Sequence, residues 1–547
     1  MARHKAGPFC LLCNLPDIKI QGIRKWPGKV IAMTIDYSKR SFYEIYPTSY
    51  FDSNGDGIGD LNGISQKLEY IKSLGFTGLW LNPIFKSPFR DGGYDISDPF
   101  SVDPRFGTLE DLKTMLAKAH SLGFAVLFDL VGGHLSWDSY YFKQSAEPTP
   151  NEYSDLFIWS DNPWMMDDKL RMVRGLYDRN GTFLANFFVH QPALNYGFLH
   201  PQYSWEEPID GKGPTKAKKF LVKIIDYWLS QGFDGFRADM AGWMVKQDDE
   251  DATGTIAMWK DVFGQVRKDY PDCVAVSEWS CPWQSLKSGF DSDFVLYWSE
   301  NFTHAFLRNG KGLKGQHTFF GDGTPLFHTW DKALFDQWKG DFAKRFDASK
   351  DDGKWLSLIS GNHDTSRLAD WLTEQELKLA YLVGFLLPNV PFMYAGDEIG
   401  QTTYFGLPSK DGGYARTGTR TPMKWDHGVD NGFSTAPEDK LYLPINPNDK
   451  TVSDLEDDKD SLLNAIAKIN YIRNTDSDLT GNHDLSFDDS DPISFKRRKT
   501  LVVANITDRI EKVKVGKGQL LLTFGPVEVD DGLLVVPPKS GLVYRED

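Results

Sequence analysis

LEYIKSLGFTGLWLNP, residues 68 to 83, carries apolar residues at helical spacing, stops at Gly75 and resumes as a short, mostly apolar run. The same design returns in LAKAHSLGFAVLFDLV (116 to 131) and in IIDYWLSQGFDGFRADM (224 to 240), with stops at Gly123 and Gly232. Amphipathic helix, glycine stop and buried strand in repetition imply a parallel α/β sheet, because parallel strands need crossovers and the helices cover the sheet. The second interval between stop glycines is more than twice the first, which leaves room for an inserted subdomain. SFYEIYP (41 to 47), VAVSEW (274 to 279), SDFVLYW (292 to 298), WLSLISGNHD (355 to 364) and VPFMYAGDE (390 to 398) bring the strand candidates to eight. No G-x-G-x-x-G follows the first strand, so a closed barrel fits better than a doubly wound sheet.

The fold class is therefore read as α/β: a (β/α)8 TIM barrel over 41–134 and 205–474, an inserted subdomain over 135–204 after the third strand, and a C-terminal β-sandwich over 475–547. The sandwich is read from short alternating strands such as TLVVANIT (500 to 507) and DGLLVVPP (531 to 538). Residues 1–40 form an N-terminal extension.

Composition narrows the function. With 547 residues, 41% of them hydrophobic, the chain can bury a large core and smaller ones beside it. A net charge of −15 and the absence of Lys/Arg runs oppose nucleic acid and anionic lipid as partners, and favour a neutral or cationic substrate. Aromatics at 14%, with 17 Trp, suit stacking on sugars and suit a large core equally. No apolar run is long enough to span a membrane, and MARHKAGPFCLLCNLP lacks an apolar stretch followed by a cleavage site, so the chain reads as soluble and cytoplasmic. Four cysteines are too few for a disulfide framework, and the lone Cys10/Cys13 pair reads as free thiols rather than a zinc knuckle.

Barrel enzymes place chemistry at the carboxyl ends of their strands. Here those ends carry Asp129 and His134, Arg237 and Asp239, Glu278, and His363 with Asp364. Arg237 and Asp239, two apart on a strand, share one face, so the guanidinium would hold the carboxylate ionised. DSNGDGIGD (52 to 60) offers Asp52, Asn54, Asp56, Asp60 and the Ile58 carbonyl at alternating positions, an all-oxygen set suited to a hard cation such as Ca2+. It is no EF-hand, since the twelfth position is Gly63. The other reading is an Asx-rich turn.

FDLVGGH, GFRADMA, AVSEW and SGNHD, with QPALNYG in the insertion, resemble in order the signatures of the α-amylase family of glycoside hydrolases. YAGDEIG, ARTGTRTPMKWD and NGFSTA resemble its oligo-1,6-glucosidase, α-glucosidase and trehalose synthase branch, and the likeness runs from about Phe42 to Ile472. The resemblance implies Asp239 as nucleophile, Glu278 as general acid and base, and Asp364 as the third carboxylate. It implies His134 and His363 as hydrogen-bond partners of the same sugar, Tyr94 stacked on it, Asp91 on its far hydroxyls and Arg420 closing the pocket, an arrangement that favours exo-attack. It also puts a structural calcium in the 52–60 loop. The activity it implies is a retaining, exo-acting α-glucosidase on short α-1,4- or α-1,6-linked gluco-oligosaccharides. The alternatives are a transglycosylase of the same site, an endo-amylase, and a non-catalytic transporter partner, which the three acids and the missing span oppose.

Three positions depart from the family's pattern: Gly133, Ala193 and Gly242-Trp243 replace residues whose oxygens, in amylases, help hold a calcium between barrel and insertion. Together they imply that this second calcium is absent. Met240, beside the nucleophile, leaves the linkage preference open.

Overall fold

The computed structural model describes residues 36–164, 169–296, 306–308, 325–410, 416–488 and 492–547. Cys10, Cys13 and most of the N-terminal extension lie outside them, as do Tyr297 and Trp298 of the sixth strand candidate.

Eight strands alternate with eight helices. The strands are β1 (Phe42–Ile45), β2 (Gly78–Leu81), β3 (Ala125–Leu130), β4 (Gly235–Ala238), β5 (Val274–Ser277), β6 (Ser292–Val295), β7 (Trp355–Leu358) and β8 (Phe392–Tyr394). Behind each comes a helix: α1 (Leu61–Ser73), α2 (Leu109–Ser121), α3 (Lys212–Gln231), α4 (Thr253–Asp269), α5 (Pro282–Ser288), α6 (Lys332–Asp351), α7 (Glu374–Leu386) and α8 (Leu462–Thr475). Each strand from β1 to β6 pairs with its successor, and β8 returns to β1. A parallel bridge between Ile359 and Phe392 joins the two ends of the sheet and closes the barrel.

The strands are short and buried on both sides, so they read as apolar runs rather than alternations. Phe42, Trp80, Leu127, Val276, Phe294 and Phe392 fill the interior as one cluster, with the Phe42 and Phe392 rings stacked 4.7 Å apart. Tyr37, in the last turn before β1, plugs the bottom and bonds to Ser292 at 2.6 Å and Ser357 at 3.1 Å. The barrel is thus a packed core that leaves its upper rim as the place for chemistry. At Gly232 the φ of 117° is the left-handed cap that stops α3 and turns the chain into β4. Asp60 caps α1 by accepting from the Gly63 amide at 2.7 Å.

Between β3 and α3 the chain makes a separate lobe with a helical turn at Tyr140–Ser145, a hairpin of Met172–Arg174 with Thr182–Leu184, and its own apolar cluster around Ile158, Leu184, Phe198 and Trp205. An antiparallel bridge between His134 and Ala193 ties this lobe to the end of β3. After α8 the chain forms two antiparallel sheets, one of five strands and one of three. The strands Thr500–Asn505 and Ser540–Glu546 of the larger sheet pack on α7.

Candidate active site

One guanidinium organises the rim. Arg237 lies on β4, is 1% exposed, and extends inward over the face of Trp80, 5.0 Å from that ring. Nη1 bonds to Asp129 Oδ1 at 2.7 Å and to Asp239 Oδ1 at 3.0 Å, while Nη2 bonds to Glu278 Oε1 at 2.6 Å. Three acids from the ends of β3, β4 and β5 therefore meet one fixed cation. Asp129 also accepts from Tyr94 Oη at 2.8 Å and Trp80 Nε1 at 3.1 Å.

The backbone sets the distance between Asp239 and Glu278. Met240 adopts the left-handed region at φ 44°, and its amide donates to Glu278 Oε2 at 2.8 Å. The Glu278 amide donates to the Ala238 carbonyl at 3.0 Å and the Ala241 amide to the Glu278 carbonyl at 3.1 Å. Three hydrogen bonds thus lace the ends of β4 and β5 together. Gly242 is required beside them, since a Cβ there would stand 2.5 Å from the indole of Trp279.

Electrostatics separates the acids. Burial pushes Glu278 up to about 8, against the pull of Arg237 and with the help of Asp239. Burial also raises Asp239, opposed by Arg237 and reinforced by Asp91 and Asp364. Asp364 goes the other way: although burial opposes it, His363, Arg416 and Arg420 hold its carboxyl far below the usual range. A group that keeps a proton near neutrality thus faces one that never takes it.

Asp364 is gripped by Arg420 Nη2 at 2.6 Å and Arg416 Nη1 at 2.9 Å. Arg416 also forms an ion pair with Asp91, whose other oxygen accepts from Gln191 Nε2 at 2.6 Å. Arg416 thus forms an ion pair with Asp91, while Arg420 bonds to Asp364 and the His363 carbonyl and its charge also acts on Asp91. The Tyr94 ring stacks on His363 with centroids 5.1 Å apart and is 5% exposed. His134 lies beside it, with Nε2 3.2 Å from the Tyr94 carbonyl and Nδ1 bonded to Asn186. Burial lowers His134 to about 4, so it acts as a neutral imidazole.

Asp239, Glu278, Asp364, Asp91, Tyr94, His134, Arg237, His363 and Arg420 thus stand in one contiguous network. Arg416, Gln191, Asn82 and Glu44 belong to it too and escaped the sequence reading. A signal existed for two of them: Arg416 stands four residues before Arg420 in the same motif, and Glu44 is an acid inside an otherwise apolar buried strand.

The 52–60 loop stands apart from this network. Asp52 accepts from the amides of Asn54, Gly55 and Gly57 and from the Ser434 hydroxyl. Asp60 accepts from Ser53 and Gly63, Asn54 from the Asp56 amide, and Asp56 Oδ1 from the Ile58 amide at 2.9 Å. The all-oxygen donor chemistry suits Ca2+, yet most of the acidic oxygens serve the loop's own amides. Among the described residues no three acidic, His or Cys side chains converge as a metal centre.

Near Gly133 and Trp243, two of the departures from the family's pattern, stands an ammonium. Lys246 Nζ donates to Asn186 Oδ1 at 3.0 Å and to the Trp243 carbonyl at 2.7 Å. Gly133 leaves room for Asn186, whose Nδ2 would lie 2.8 Å from a Cβ there. A side-chain cation thus joins barrel and insertion.

Comparison with known proteins agrees with this geometry. The α-amylase catalytic domain matches residues 44–481. The chain belongs to the α-amylase family of glycoside hydrolases. It is 29% identical over 526 residues to the glucan 1,6-alpha-glucosidase of Streptococcus pneumoniae serotype 4, covering 86% of this chain and 92% of that protein. It is 29% identical over 501 residues to maltase A1 of Drosophila melanogaster, covering 84% of each. Its fold superposes on the trehalose-6-phosphate hydrolase of Bacillus licheniformis with a TM-score of 0.75 at 22% identity, covering 93% of this chain and 99% of that one. Among the described residues no helix is long and apolar enough to cross a membrane.

Proposed function

We propose that the chain is a retaining, exo-acting α-glucosidase on short α-1,4- or α-1,6-linked gluco-oligosaccharides, with Asp239 as nucleophile, Glu278 as acid and base, and Asp364 on the sugar hydroxyls. The observation that carries this reading is the fork of Arg237, which holds Asp239 and Glu278 side by side on adjoining strands. Asp239 attacks the anomeric carbon while Glu278 gives its proton to the departing glycosidic oxygen. Glu278, now a carboxylate, then takes a proton from the water that displaces Asp239 and restores the original configuration. Burial of Glu278 keeps it protonated for the first step. The ionised Asp364 favours the positive charge that builds on the ring.

The Asp91–Arg416 pair supports exo-attack, because two charged groups bonded across the end of the sugar site leave no path for a longer chain. The names of the relatives, a glucan 1,6-alpha-glucosidase and a maltase, support the substrate class. The test is hydrolysis of maltose and isomaltose followed by proton NMR, with α-glucose expected as the first product. Trapping with a fluorinated α-glucosyl fluoride and peptide mass spectrometry should place the adduct on Asp239; β-glucose first, or an adduct elsewhere, overturns the scheme. For the 52–60 loop the proposal is a structural Ca2+, supported by its oxygen-only donors and by the open second oxygen of Asp56.

A further inference from the structure

Glu44 has no part in the chemistry above and is fully buried in β1. Its Oε1 lies 2.8 Å from His363 Nδ1, and its Oε2 has no hydrogen-bond partner in the protein. The same Nδ1 lies 3.1 Å from Asn82 Nδ2.

The orientation of that amide follows from its neighbour. Tyr94 Oη gives its one proton to Asp129 at 2.8 Å, so toward Asn82, 3.1 Å away, it can only accept. Asn82 therefore turns its NH2 to this corner, with one hydrogen for Tyr94 and the other directed at the corner shared by His363 Nδ1, 3.1 Å away, and the Glu44 carboxyl. An Nδ1 that faces a donor is a bare nitrogen, and the proton of the neutral imidazole then sits on Nε2. A carboxyl oxygen 2.8 Å from a bare nitrogen must itself carry a proton, or two lone pairs would face each other. On the other side, Nε2 is buried without a hydrogen-bond partner among the described residues and faces Asp364 Oδ2 at 3.5 Å, where a proton is attracted and a lone pair repelled.

We propose that Glu44 is a positioning residue: as a neutral carboxylic acid it gives a hydrogen bond to His363 Nδ1, fixes the Nε2–H tautomer, and so makes His363 a donor toward the sugar bound beside Asp364. The surroundings agree from every side. Trp80 on β2 and Tyr394 on β8 sit opposite Glu44 in register and offer no charge. Burial raises Glu44 well above the usual range, and it outweighs the hydrogen bonds from the Asn82 side chain and the His363 backbone and the charge of Arg237 from β4, with Asp129 from β3 reinforcing it. Burial lowers His363 well below its usual value, opposed by Asp364 and helped by Arg420, Arg237 and Arg416.

This inference rests on the α-glucosidase reading for its consequence, though not for the tautomer. The test is the nitrogen spectrum of the full-length protein labelled with [15N]histidine near neutral pH, with His363 assigned through the loss of its signals in His363→Gln. A protonated-type shift at Nε2 and a bare-type shift at Nδ1 are expected; the opposite tautomer, or an imidazolium, overturns the proposal. In kinetics, Glu44→Leu should lower kcat about tenfold, the size of one lost neutral hydrogen bond in the transition state. Glu44→Gln, whose amide can donate to the same nitrogen, should recover it to within about threefold. Unchanged kcat in Glu44→Leu also overturns the proposal, and if that variant fails to fold the wild-type spectrum decides alone. A protein without α-glucosidase activity but with the Nε2–H tautomer would sink the functional reading and leave the tautomer standing.

Discussion

Lys246→Met removes the cation that joins barrel and insertion, and the structure sets both the size and the pH dependence of the effect. The ammonium makes two charge-assisted hydrogen bonds, at 3.0 and 2.7 Å. Each contributes about 1.5–3 kcal/mol, and their loss leaves two acceptors without a donor. Against this, burial first and Arg171 second lower Lys246 from 10.5 to about 8. At about 1.4 kcal/mol per unit, that depression opposes folding by roughly 3 kcal/mol while the group is charged. The variant should therefore be only about 1–2 kcal/mol less stable than wild type near pH 7. Because the folded value lies below the unfolded one, the unfolded chain holds a proton between pH 8 and 10.5 that the folded chain has released. Stability from this group rises with pH across that window. The gap between wild type and variant should widen by up to roughly 3 kcal/mol toward its upper end. Urea midpoints of both proteins, followed by tryptophan fluorescence from pH 7 to 10, measure it, since other titrations cancel in the difference. A gap that stays level or shrinks refutes the account of a desolvated ammonium.

Other perturbations probe the rest of the site. Glu278 must hold a proton to act as acid, so kcat/KM should fall as pH rises through about 8, and in Glu278→Gln, with activity depressed by about a hundredfold or more, that alkaline limb should vanish. Arg416→Met strips Asp91 of its ion-pair partner and Asp364 of one of its two guanidinium contacts. It should raise KM for maltose about tenfold or more, whereas an unchanged KM would remove the pair from substrate binding. If the 52–60 loop holds Ca2+ at saturation, chelation should lower the thermal midpoint by several degrees and re-addition should restore it; a midpoint indifferent to chelator leaves the Asx turns as the whole explanation.

The barrel was legible because three helix–Gly–strand segments repeat one design, and because a (β/α)8 barrel needs the same apolar run at each turn. The acids were legible for a related reason: each ends a strand that the pattern already marks, so topology alone gathers Asp239, Glu278 and Asp364 at one mouth. Contacts across the site were not. That Arg416 bonds to Asp91 while both it and Arg420 hold Asp364 depends on how one turn at Thr417–Thr419 sets two arginines four residues apart, which periodicity does not encode. Tyr94 reads as a sugar platform by likeness, yet its ring is already stacked on His363 and its hydroxyl taken by Asp129. Glu44 stayed hidden because its partner is 319 positions away. Lys246 stayed hidden because nothing in the sequence marks which of many lysines reaches across from the barrel to Asn186.

Helix α7 lies between the barrel and the C-terminal sheets, and is apolar on nearly every side. Gly541, on the last strand of the chain, lies so close that a Cβ there would come within 2.6 Å of Leu379 and 3.0 Å of Leu382. That helix therefore serves two cores at once, and a side chain larger than hydrogen at position 541 would push the sheet off the barrel's own wall. Damage to the small sheets is thereby felt in the catalytic barrel, although none of their described residues reaches the rim described above.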